Sequence, residues 1–276
     1  MKDALQRELE YHEKLYSGFA QAHFARPAVR ALRQHMVERI LRMTGAGARS
    51  RVLSLGCGIG DTELLLAPHV AEVVGVDLSP AAVRQARADA GRLRIANARF
   101  EEGTTAEPLA GRHGAAGAAA LLHWSEQRSE SVTAEGSYDL VMAIFFLHHL
   151  PDQELAELPG RVKGLLAPGG VFYSLDPSSR RLSGAIGRLL FPGLMKRYQT
   201  SDERELEPEP TAELFRGAGF DARVTMYDFG SSPLAGLLPG WRAGYRAARA
   251  VDDWLLRVPA LRRRGSNFEV IACCSR

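Results

Sequence analysis

Hydrophobic and polar positions follow two different periods along this chain of 276 residues, and the change comes near residue 46. Before that point, apolar residues recur every three or four positions in two series that Pro27 separates, which predicts helices. After it, short apolar runs alternate with helical stretches. The two helical series are Leu9, His12, Tyr16 and Phe19, followed by Val29, Leu32, Met36, Ile40 and Leu41.

The region after residue 46 predicts an α/β fold. Strands that alternate with helices of these lengths indicate a doubly wound, mostly parallel sheet with helices on both faces. The predicted strands span residues 51–55, 72–76, 98–102, 138–146, 171–175, 221–227 and 267–274. The predicted helices span residues 62–70, 80–90, 152–166 and 211–217, and Ser79 is the expected N-cap of the second.

Three stretches interrupt the alternation of strands and helices, and we predict that they are insertions. Residues 107–136 are rich in Ala, Gly and Ser, and a loop of that length is unusual inside a compact unit. Residues 178–210 end in an acidic run bounded by prolines, and residues 231–266 lie between the last two strands. We therefore expect an N-terminal helical cap at 1–45 and a main domain at 46–276 that carries these insertions.

The composition indicates a globular chain, because 46% of its residues are hydrophobic and 24% are charged. The net charge of +3 is too small to argue for nucleic-acid or membrane binding. Three cysteines without metal-ligand spacing make disulfides and a zinc site unexpected. The N-terminus lacks the apolar core of a signal peptide, and no stretch approaches the roughly 20 apolar residues of a membrane span. We therefore expect a cytoplasmic protein.

Positive charge is concentrated in residues 231–266, which carry seven arginines against two aspartates. An arginine-rich helix with aromatic residues has three interpretations: contact with an anionic membrane, enclosure of an acidic small molecule, or the solvated face of a packed helix. The last is favoured. The apolar stripe of this helix consists of Tyr245, Ala248, Val251, Trp254, Leu255 and Val258.

A glycine-rich turn follows the first predicted strand. Gly56, Gly58 and Gly60 lie between that strand and a helix, an arrangement that lets a ligand approach the backbone at the carboxyl edge of a parallel sheet. Asp61 stands where the dinucleotide fingerprint has its third glycine, which disfavours NAD and FAD. The turn also lacks the lysine of a phosphate-binding loop. The alternative is an ordinary tight turn between strand and helix.

An acidic residue ends the second predicted strand. Asp77 follows Gly56 by 21 residues, about the separation at which such folds place a carboxylate on ribose hydroxyls. A carboxylate suits a diol because its two oxygens can accept a hydrogen bond from each hydroxyl. The alternative is that Asp77 only caps the following helix. Both motifs at this separation favour a nucleoside-containing ligand.

At these motifs the sequence resembles the class I S-adenosylmethionine-dependent methyltransferases, and among them the bacterial type 11 enzymes that act on small molecules. The resemblance is strong over residues 50–103 and 137–176 and looser over 205–228 and 266–274. It implies a seven-stranded Rossmann-like sheet. The motifs that carry it are LSLGCGIGDTE, VVGVDLS, YDLVMAIFFLHHLPD and LLAPGGVFYSLDP, in the order of the family.

The resemblance implies S-adenosylmethionine as the cofactor, with the glycine turn beneath its methionine part, Asp77 on its ribose and Leu78 against its adenine. Tyr16 is the expected contact of its carboxylate. One departure concerns Thr104, because the family commonly has Gly-Asp-Ala where this chain has Gly-Thr-Thr, so adenine recognition is expected to depend partly on the backbone. The expected cofactor-binding residues are Gly56, Cys57, Gly58, Gly60, Asp77, Leu78, Thr104, Thr105, Ala143 and Tyr16.

The fourth strand restricts the expected acceptor. Enzymes that methylate amino groups of nucleobases resemble one another in an Asn/Asp-Pro-Pro-Tyr/Phe tetrad, and this chain has Ala-Ile-Phe-Phe at residues 143–146. We therefore expect no nucleic-acid partner. His148 and His149 are weak candidates for a general base, since histidine titrates near neutrality. Capping and packing are the favoured roles for the pair, and we expect no metal site because no further ligands occur at a recognisable spacing.

The expected activity is methyl transfer to oxygen, nitrogen or carbon of a small or lipid-like acceptor, in secondary metabolism or envelope modification. The acceptor pocket would be formed by the N-terminal helices and the late insertions. The alternative is a protein that binds the cofactor as a sensor or non-catalytic partner subunit. A dinucleotide oxidoreductase is disfavoured by Asp61. The sequence predicts neither the acceptor nor the oligomeric state.

Overall fold

Seven strands of the described residues form one sheet at the centre of the molecule. The computed structural model describes residue 23 and residues 25–103, 138–181, 205–261 and 263–274. The strands are β1 (Arg51–Leu55), β2 (Glu72–Asp77), β3 (Ala98–Glu102), β4 (Tyr138–Ile144), β5 (Leu166–Pro177), β6 (Phe220–Asp228) and β7 (Asn267–Cys274). Their order across the sheet is β3-β2-β1-β4-β5-β7-β6. Neighbours from β3 to β5 are parallel, whereas β7 is antiparallel to both β5 and β6. The predicted mostly parallel, seven-stranded α/β sheet is confirmed.

Helices cover both faces of the sheet. The helices are α1 (Pro27–Thr44), α2 (Asp61–Leu66), α3 (Pro80–Leu93), α4 (Asp152–Leu165), α5 (Pro208–Gly217), α6 (Ser231–Leu237) and α7 (Arg242–Leu255). Side chains of α1, α6 and α7 pack on the face that includes Val52 and Tyr173, and those of α4 and α5 pack on the opposite face, which includes Leu53 and Phe172. Successive side chains of a strand point to opposite faces of the sheet. Because helices cover both faces, neighbouring strand residues are both buried.

Several predicted element boundaries move by a few residues. Strand β4 ends at Ile144, two residues early, because Phe145 adopts a left-handed conformation with φ of 54°. Strand β5 begins at Leu166, where the sequence predicts the end of a helix. The helix expected at 62–70 divides into α2 and a 3-10 turn at Ala67–His69.

The expected insertions and the cap are only partly described. Residues 107–136 lie outside the described residues, and so do most of 178–210. Helix α1 belongs to the expected cap, and it packs against α2, α6 and α7. The division into a cap at 1–45 and a main domain at 46–276 stays a prediction.

Helix α7 buries only one edge of its apolar stripe, at Tyr245. Val251 and Trp254 are 54% and 63% exposed, whereas Arg249 and Asp252 are buried. The buried arginine donates a hydrogen bond of 2.8 Å from Nη1 to the carbonyl of Tyr227 at the end of β6. The polar face is turned inward because its side chains bind backbone groups there, and the apolar stripe is consequently only partly packed.

Three cysteines lie in the described ranges, and they form no disulfide there. Cys57 is buried, Cys273 is exposed and Cys274 is half-buried, and all three are free thiols. Successive side chains of a strand point to opposite faces, so the two neighbours on β7 do not approach each other. Within the same ranges, no helix is both long and apolar enough to cross a membrane, and no three His, Cys, Asp or Glu side chains are grouped to hold a metal ion.

Candidate functional site

The glycine-rich turn between β1 and α2 is built from left-handed backbone. Gly56, Gly58 and Gly60 have φ angles of 67°, 54° and 73°. At two of these positions a side chain would also collide with the core. A Cβ on Gly56 would lie 2.5 Å from Cδ2 of Phe146, and one on Gly60 would lie 2.6 Å from Cε1 of Phe100. The turn is therefore a cradle of bare backbone that only glycine can form.

The carboxylate of Asp77 joins this turn to the end of β2. Its Oδ2 accepts a hydrogen bond of 2.7 Å from the backbone N–H of Gly58, and its Oδ1 accepts one of 2.9 Å from the N–H of Ser79. The N-cap of α3 is Ser79, as predicted, because its hydroxyl accepts the N–H of Ala82 at 3.2 Å. Asp77 is thus not the helix cap, and it links the ends of two neighbouring strands.

A buried carboxyl lies behind the turn, and sequence analysis did not identify it. The hydroxyl of Ser54 on β1 donates a hydrogen bond of 2.6 Å to Oε1 of Glu63 on α2. Both residues are buried, and burial raises the pKa of the Glu63 carboxyl to about 7. The nearby carboxylate of Asp61 acts in the same direction. The available signal was a single polar residue inside the otherwise apolar run VLSL.

Helix α1 reaches the turn through Arg33. Its Nε lies 2.7 Å from Oδ2 of Asp61, and its Nη1 donates to Oγ1 of Thr62 at 3.3 Å. The guanidinium also lies 5.9 Å from the centre of the Phe145 ring, which follows β4. One arginine therefore connects the first helix to the start of α2 and to the carboxyl end of β4. The sequence expected Tyr16 in this region, which lies outside the described residues.

The chain turns sharply after β4. Phe145 has φ of 54° and donates its backbone N–H to the carbonyl of Leu175 on β5 at 2.7 Å. A left-handed conformation at a bulky residue is strained and persists only where its surroundings hold it. This turn carries the chain into the short 3-10 helix Leu147–His149, so both histidines follow the end of β4.

His148 is held by a carboxylate from the neighbouring strand. Its Nδ1 lies 3.0 Å from Oδ1 of Asp176, and its backbone N–H donates to the same oxygen at 3.3 Å. Asp176 is fully buried and His148 nearly so. The ring of His149 stacks at a tilt, with its centroid 4.1 Å away. Because the carboxylate accepts the proton of Nδ1, the other ring nitrogen, Nε2, is the basic one.

The remaining expected residues lie at the same edge of the sheet. Cys57 donates its backbone N–H to the carbonyl of Val76 at 3.0 Å, and burial raises the pKa of its thiol. Leu78 is half-buried against the core. Ala143 is buried in β4 beside Leu55, the last residue of β1. The structure thus brings the described members of the expected set to the adjoining ends of β1, β2 and β4. Tyr16, Thr104 and Thr105 lie outside the described residues.

Sequence comparison assigns this edge of the sheet to a family. Residues 53–172 match the family model described as a methyltransferase domain. A 23S rRNA (uracil(1939)-C(5))-methyltransferase RlmD of Aeromonas hydrophila is 44% identical over 78 residues. The match covers 28% of this chain and 18% of that relative, so the chain spans less than a fifth of the length of this curated relative.

Solved structures share the fold. A SAM dependent methyltransferase from Archaeoglobus fulgidus has a TM-score of 0.55 at 16% identity, with 88% of this chain and 94% of that chain covered. The DhpI–SAH complex has a TM-score of 0.57 at 15% identity, with 100% of this chain and 98% of that chain covered. The matched family model and the shared sheet confirm the resemblance seen in the sequence. Residues 53–172 therefore match a methyltransferase domain, and the chain shares the fold of these solved structures.

Proposed function

We propose that this protein transfers the methyl group of S-adenosylmethionine to a small or lipid-like acceptor. The observation that carries the proposal is the link between Asp77 and Gly58, which holds the ends of β1 and β2 together through a hydrogen bond of 2.7 Å. This link fixes a carboxylate beside the glycine-rich turn. A ligand that combines a ribose with an amino-acid part needs both groups at one place.

The chemistry of the turn fits the cofactor. Because Gly56 and Gly60 lack a Cβ, the turn can pack directly against Phe146 and Phe100, which holds its backbone in place at the carboxyl edge of the sheet. We assign Asp77 to the ribose hydroxyls, since a half-buried carboxylate with two oxygens can accept from both. Leu78 is assigned to the adenine, because it is half-buried next to that carboxylate. Cys57, Gly58 and Ala143 complete the described part of the proposed set, with Tyr16, Thr104 and Thr105 still predicted members.

The proposed methyl transfer requires little covalent chemistry from the protein. When bound, the cofactor supplies a methyl group that its positively charged sulfur already activates. The chain's own residues therefore act by holding the acceptor in line and by excluding water. The strained turn at Phe145 and the contact of Arg33 with Asp61 keep the end of β4 and the start of α2 in fixed positions for this purpose.

An acceptor that must lose a proton requires a base. His148 is the candidate, because Asp176 accepts the proton of Nδ1 and leaves Nε2 to take up another. The ring of His149 lies against that of His148, and we assign it to packing. No metal ion takes part in the proposed reaction.

The acceptor class is the less constrained part of the proposal. A lipid-like acceptor is supported by the apolar side chains that α6 and α7 expose. The expectation that nucleic acid is not a partner finds no support in the RlmD relatives, whose names give 23S rRNA as their substrate. Methylation of rRNA is therefore a competing outcome of the tests below. A cytoplasmic location is part of the same proposal.

Cofactor binding is tested by calorimetric titration with S-adenosylmethionine. Asp77→Asn is expected to weaken binding by roughly 10-fold to 100-fold, since hydrogen bonds to a charged group contribute about 1.5–3 kcal/mol. Asp221→Asn is the matched control, because that aspartate is exposed on β6, away from the turn. Equal affinity in the two variants would refute the assignment of Asp77.

Methyl transfer is tested by the formation of S-adenosylhomocysteine with panels of small phenols and amines, phospholipids and ribosomal RNA. Product with a small or lipid acceptor supports the proposal, and product with RNA alone contradicts the acceptor class. Tight cofactor binding without product from any panel favours the alternative, a protein that binds the cofactor as a sensor or partner subunit.

A further inference from the structure

An exposed apolar surface lies on the outer side of α6 and α7. Six large hydrophobic side chains are exposed among the described residues, and five of them lie within 18 residues of one another in this layer. Isolated exposed hydrophobic residues are ordinary, but a contiguous group indicates contact with something else. We call this group the apolar surface. Its members are Leu237, Leu238, Trp241, Val251 and Trp254, which are 51%, 48%, 54%, 54% and 63% exposed.

The members on α7 lie on one side of the helix. Ala247, Val251 and Trp254 follow one another at helical spacing, Trp241 precedes the first residue of the helix, and all four are exposed. The ring of Trp241 lies directly over Gly244, where a Cβ would come within 2.1 Å of its Cε3 atom. The missing side chain at Gly244 is thus what allows the indole to lie along the helix while more than half of it stays in solvent.

The inner side of α7 is held by polar contacts, so the outward apolar stripe is a fixed property of the fold. Asp252 accepts the backbone N–H of Ser231 at 2.8 Å and that of Gly230 at 3.0 Å, which ties α7 to the first residues of α6. Arg249 donates to the carbonyl of Tyr227. Rotating the helix to bury its apolar side would leave a buried charge and several backbone groups without partners, which is costly.

A row of arginines runs beside the apolar surface. Arg242 and Arg246 lie on the neighbouring side of α7, Arg257, Arg263 and Arg264 follow the helix, and all five are exposed. No carboxylate of the described residues forms an ion pair with any of these five arginines. The nearest acidic side chain of that helix face, Asp253, is already bound to Arg249 at 2.8 Å.

We propose that the apolar surface and its arginine row dock this protein on a membrane that contains anionic phospholipids. Tryptophan and leucine side chains enter the boundary between headgroups and acyl chains, while arginines bind phosphate oxygens of the headgroups. The loop before α7 is braced for this role, because the carbonyl of Pro239 accepts the N–H of Ala28 at the start of α1 at 2.8 Å. Docking is peripheral, and it does not depend on methyl transfer.

Charge decides between a membrane and a second copy of the chain. In a dimer formed through this surface, the two arginine rows would meet each other, and like charges at close range are unfavourable. An anionic surface instead supplies a phosphate for each guanidinium, in the bidentate geometry that arginine prefers.

The test is co-sedimentation of the full chain with vesicles of phosphatidylcholine alone and of phosphatidylcholine mixed with phosphatidylglycerol. We expect binding to the mixed vesicles only, with weakening as salt is added. The variant Arg242→Gln/Arg246→Gln should lower the partition constant about 25-fold, since each arginine near the surface contributes about fivefold. The control Arg49→Gln/Arg84→Gln removes the same charge from exposed positions elsewhere and should leave binding unchanged.

A second pair of variants separates the apolar contribution. Leu237→Ser/Leu238→Ser should reduce vesicle binding, whereas Leu93→Ser, at a side chain of 49% exposure on α3, should not. Tryptophan emission of the wild type should move to shorter wavelength when mixed vesicles are added. Unchanged thermal unfolding in every variant shows that the fold is intact.

Four results would overturn the proposal. These are equal binding to both vesicle types, equal loss in the control variants, tryptophan emission that is already at short wavelength without vesicles, and a concentration-dependent dimer that the leucine variants abolish while no vesicle binding is seen.

Discussion

The hydroxyl of Ser54 and the carboxyl of Glu63 form a hydrogen bond of 2.6 Å inside the molecule, directly behind the glycine-rich turn. Burial raises the pKa of that carboxyl to about 7 from an ordinary value of 4.5. Between these two values the folded protein holds a proton that the unfolded chain has already lost. The free energy of unfolding therefore falls as the pH rises through this window.

The variant Glu63→Gln tests this relationship. The contribution of Glu63 should be fully present below about pH 4.5 and lost above about pH 7, a change of roughly 3 kcal/mol. Urea unfolding of wild type and variant across this range should show the difference between their free energies of unfolding shrinking or reversing as pH rises. Glu38→Gln changes a side chain that is 74% exposed, and its free energy of unfolding should follow the same pH dependence as that of the wild type. A constant difference for Glu63→Gln would contradict the raised pKa.

Two glycines that look alike in the sequence should respond oppositely to alanine. Gly60→Ala places a Cβ 2.6 Å from Cε1 of Phe100 at a residue with φ of 73°, so it should destabilise the protein by about 1–3 kcal/mol. Gly91→Ala lies within α3 with open space around it and should stabilise by about 0.5–1 kcal/mol. Chemical denaturation measures both. The same sign for the two variants would show that the turn relaxes around the new methyl group.

Two arginine ion pairs differ in burial and should differ in energetic importance. Arg39 donates from Nε to Oε1 of the fully buried Glu269 at 2.6 Å, and the same oxygen accepts from the hydroxyl of Tyr173. Arg39→Met leaves that carboxylate buried without its cation and should cost about 3–5 kcal/mol. Arg216→Met breaks exposed pairs on α5 and should cost less than about 1 kcal/mol. Urea unfolding compares them, and equal costs would refute the distinction.

Variants of the two histidines distinguish a base from a packing residue. Once an acceptor is known, His148→Gln should lower kcat by about 10²–10⁴, with the KM for S-adenosylmethionine unchanged. His149→Gln is the control and should retain activity, because we assign its ring to packing against the first. Asp176→Asn should reproduce the loss in kcat in part, since it removes the acceptor that fixes the ring. Full activity in His148→Gln, with lowered stability, would assign the residue to structure alone.

The hydrophobic pattern was sufficient to predict the strands and helices, because a local period specifies each of them. Strand β1 and the cap at Ser79 follow from a few neighbouring residues. The buried contacts between charged side chains are not local. Glu269 meets Arg39 across 230 positions, and His148 meets Asp176 across 28, so no spacing rule indicates either contact.

The orientation of helix α7 could not be predicted from the sequence. The sequence shows an apolar stripe on this helix, but the stripe alone does not determine which side of the helix faces the core. The buried side was decided by Asp252 and Arg249, whose partners are backbone groups of Ser231 and Tyr227. Backbone acceptors and donors leave no trace in the sequence, so the outward position of Trp254 became visible only in the folded chain.

Strand β7 has a consequence for the order in which the molecule assembles. It occupies the place between β5 and β6, and β6 has no other neighbour in the sheet. On the ribosome, β1 to β5 can pair with one another as they emerge, whereas β6 must wait for a strand that is synthesised about 40 residues later. The layer formed by α6 and α7, which follows β6 directly, is therefore the last to be locked onto the sheet. Its outward tryptophans are fixed in place only after the rest of the domain exists.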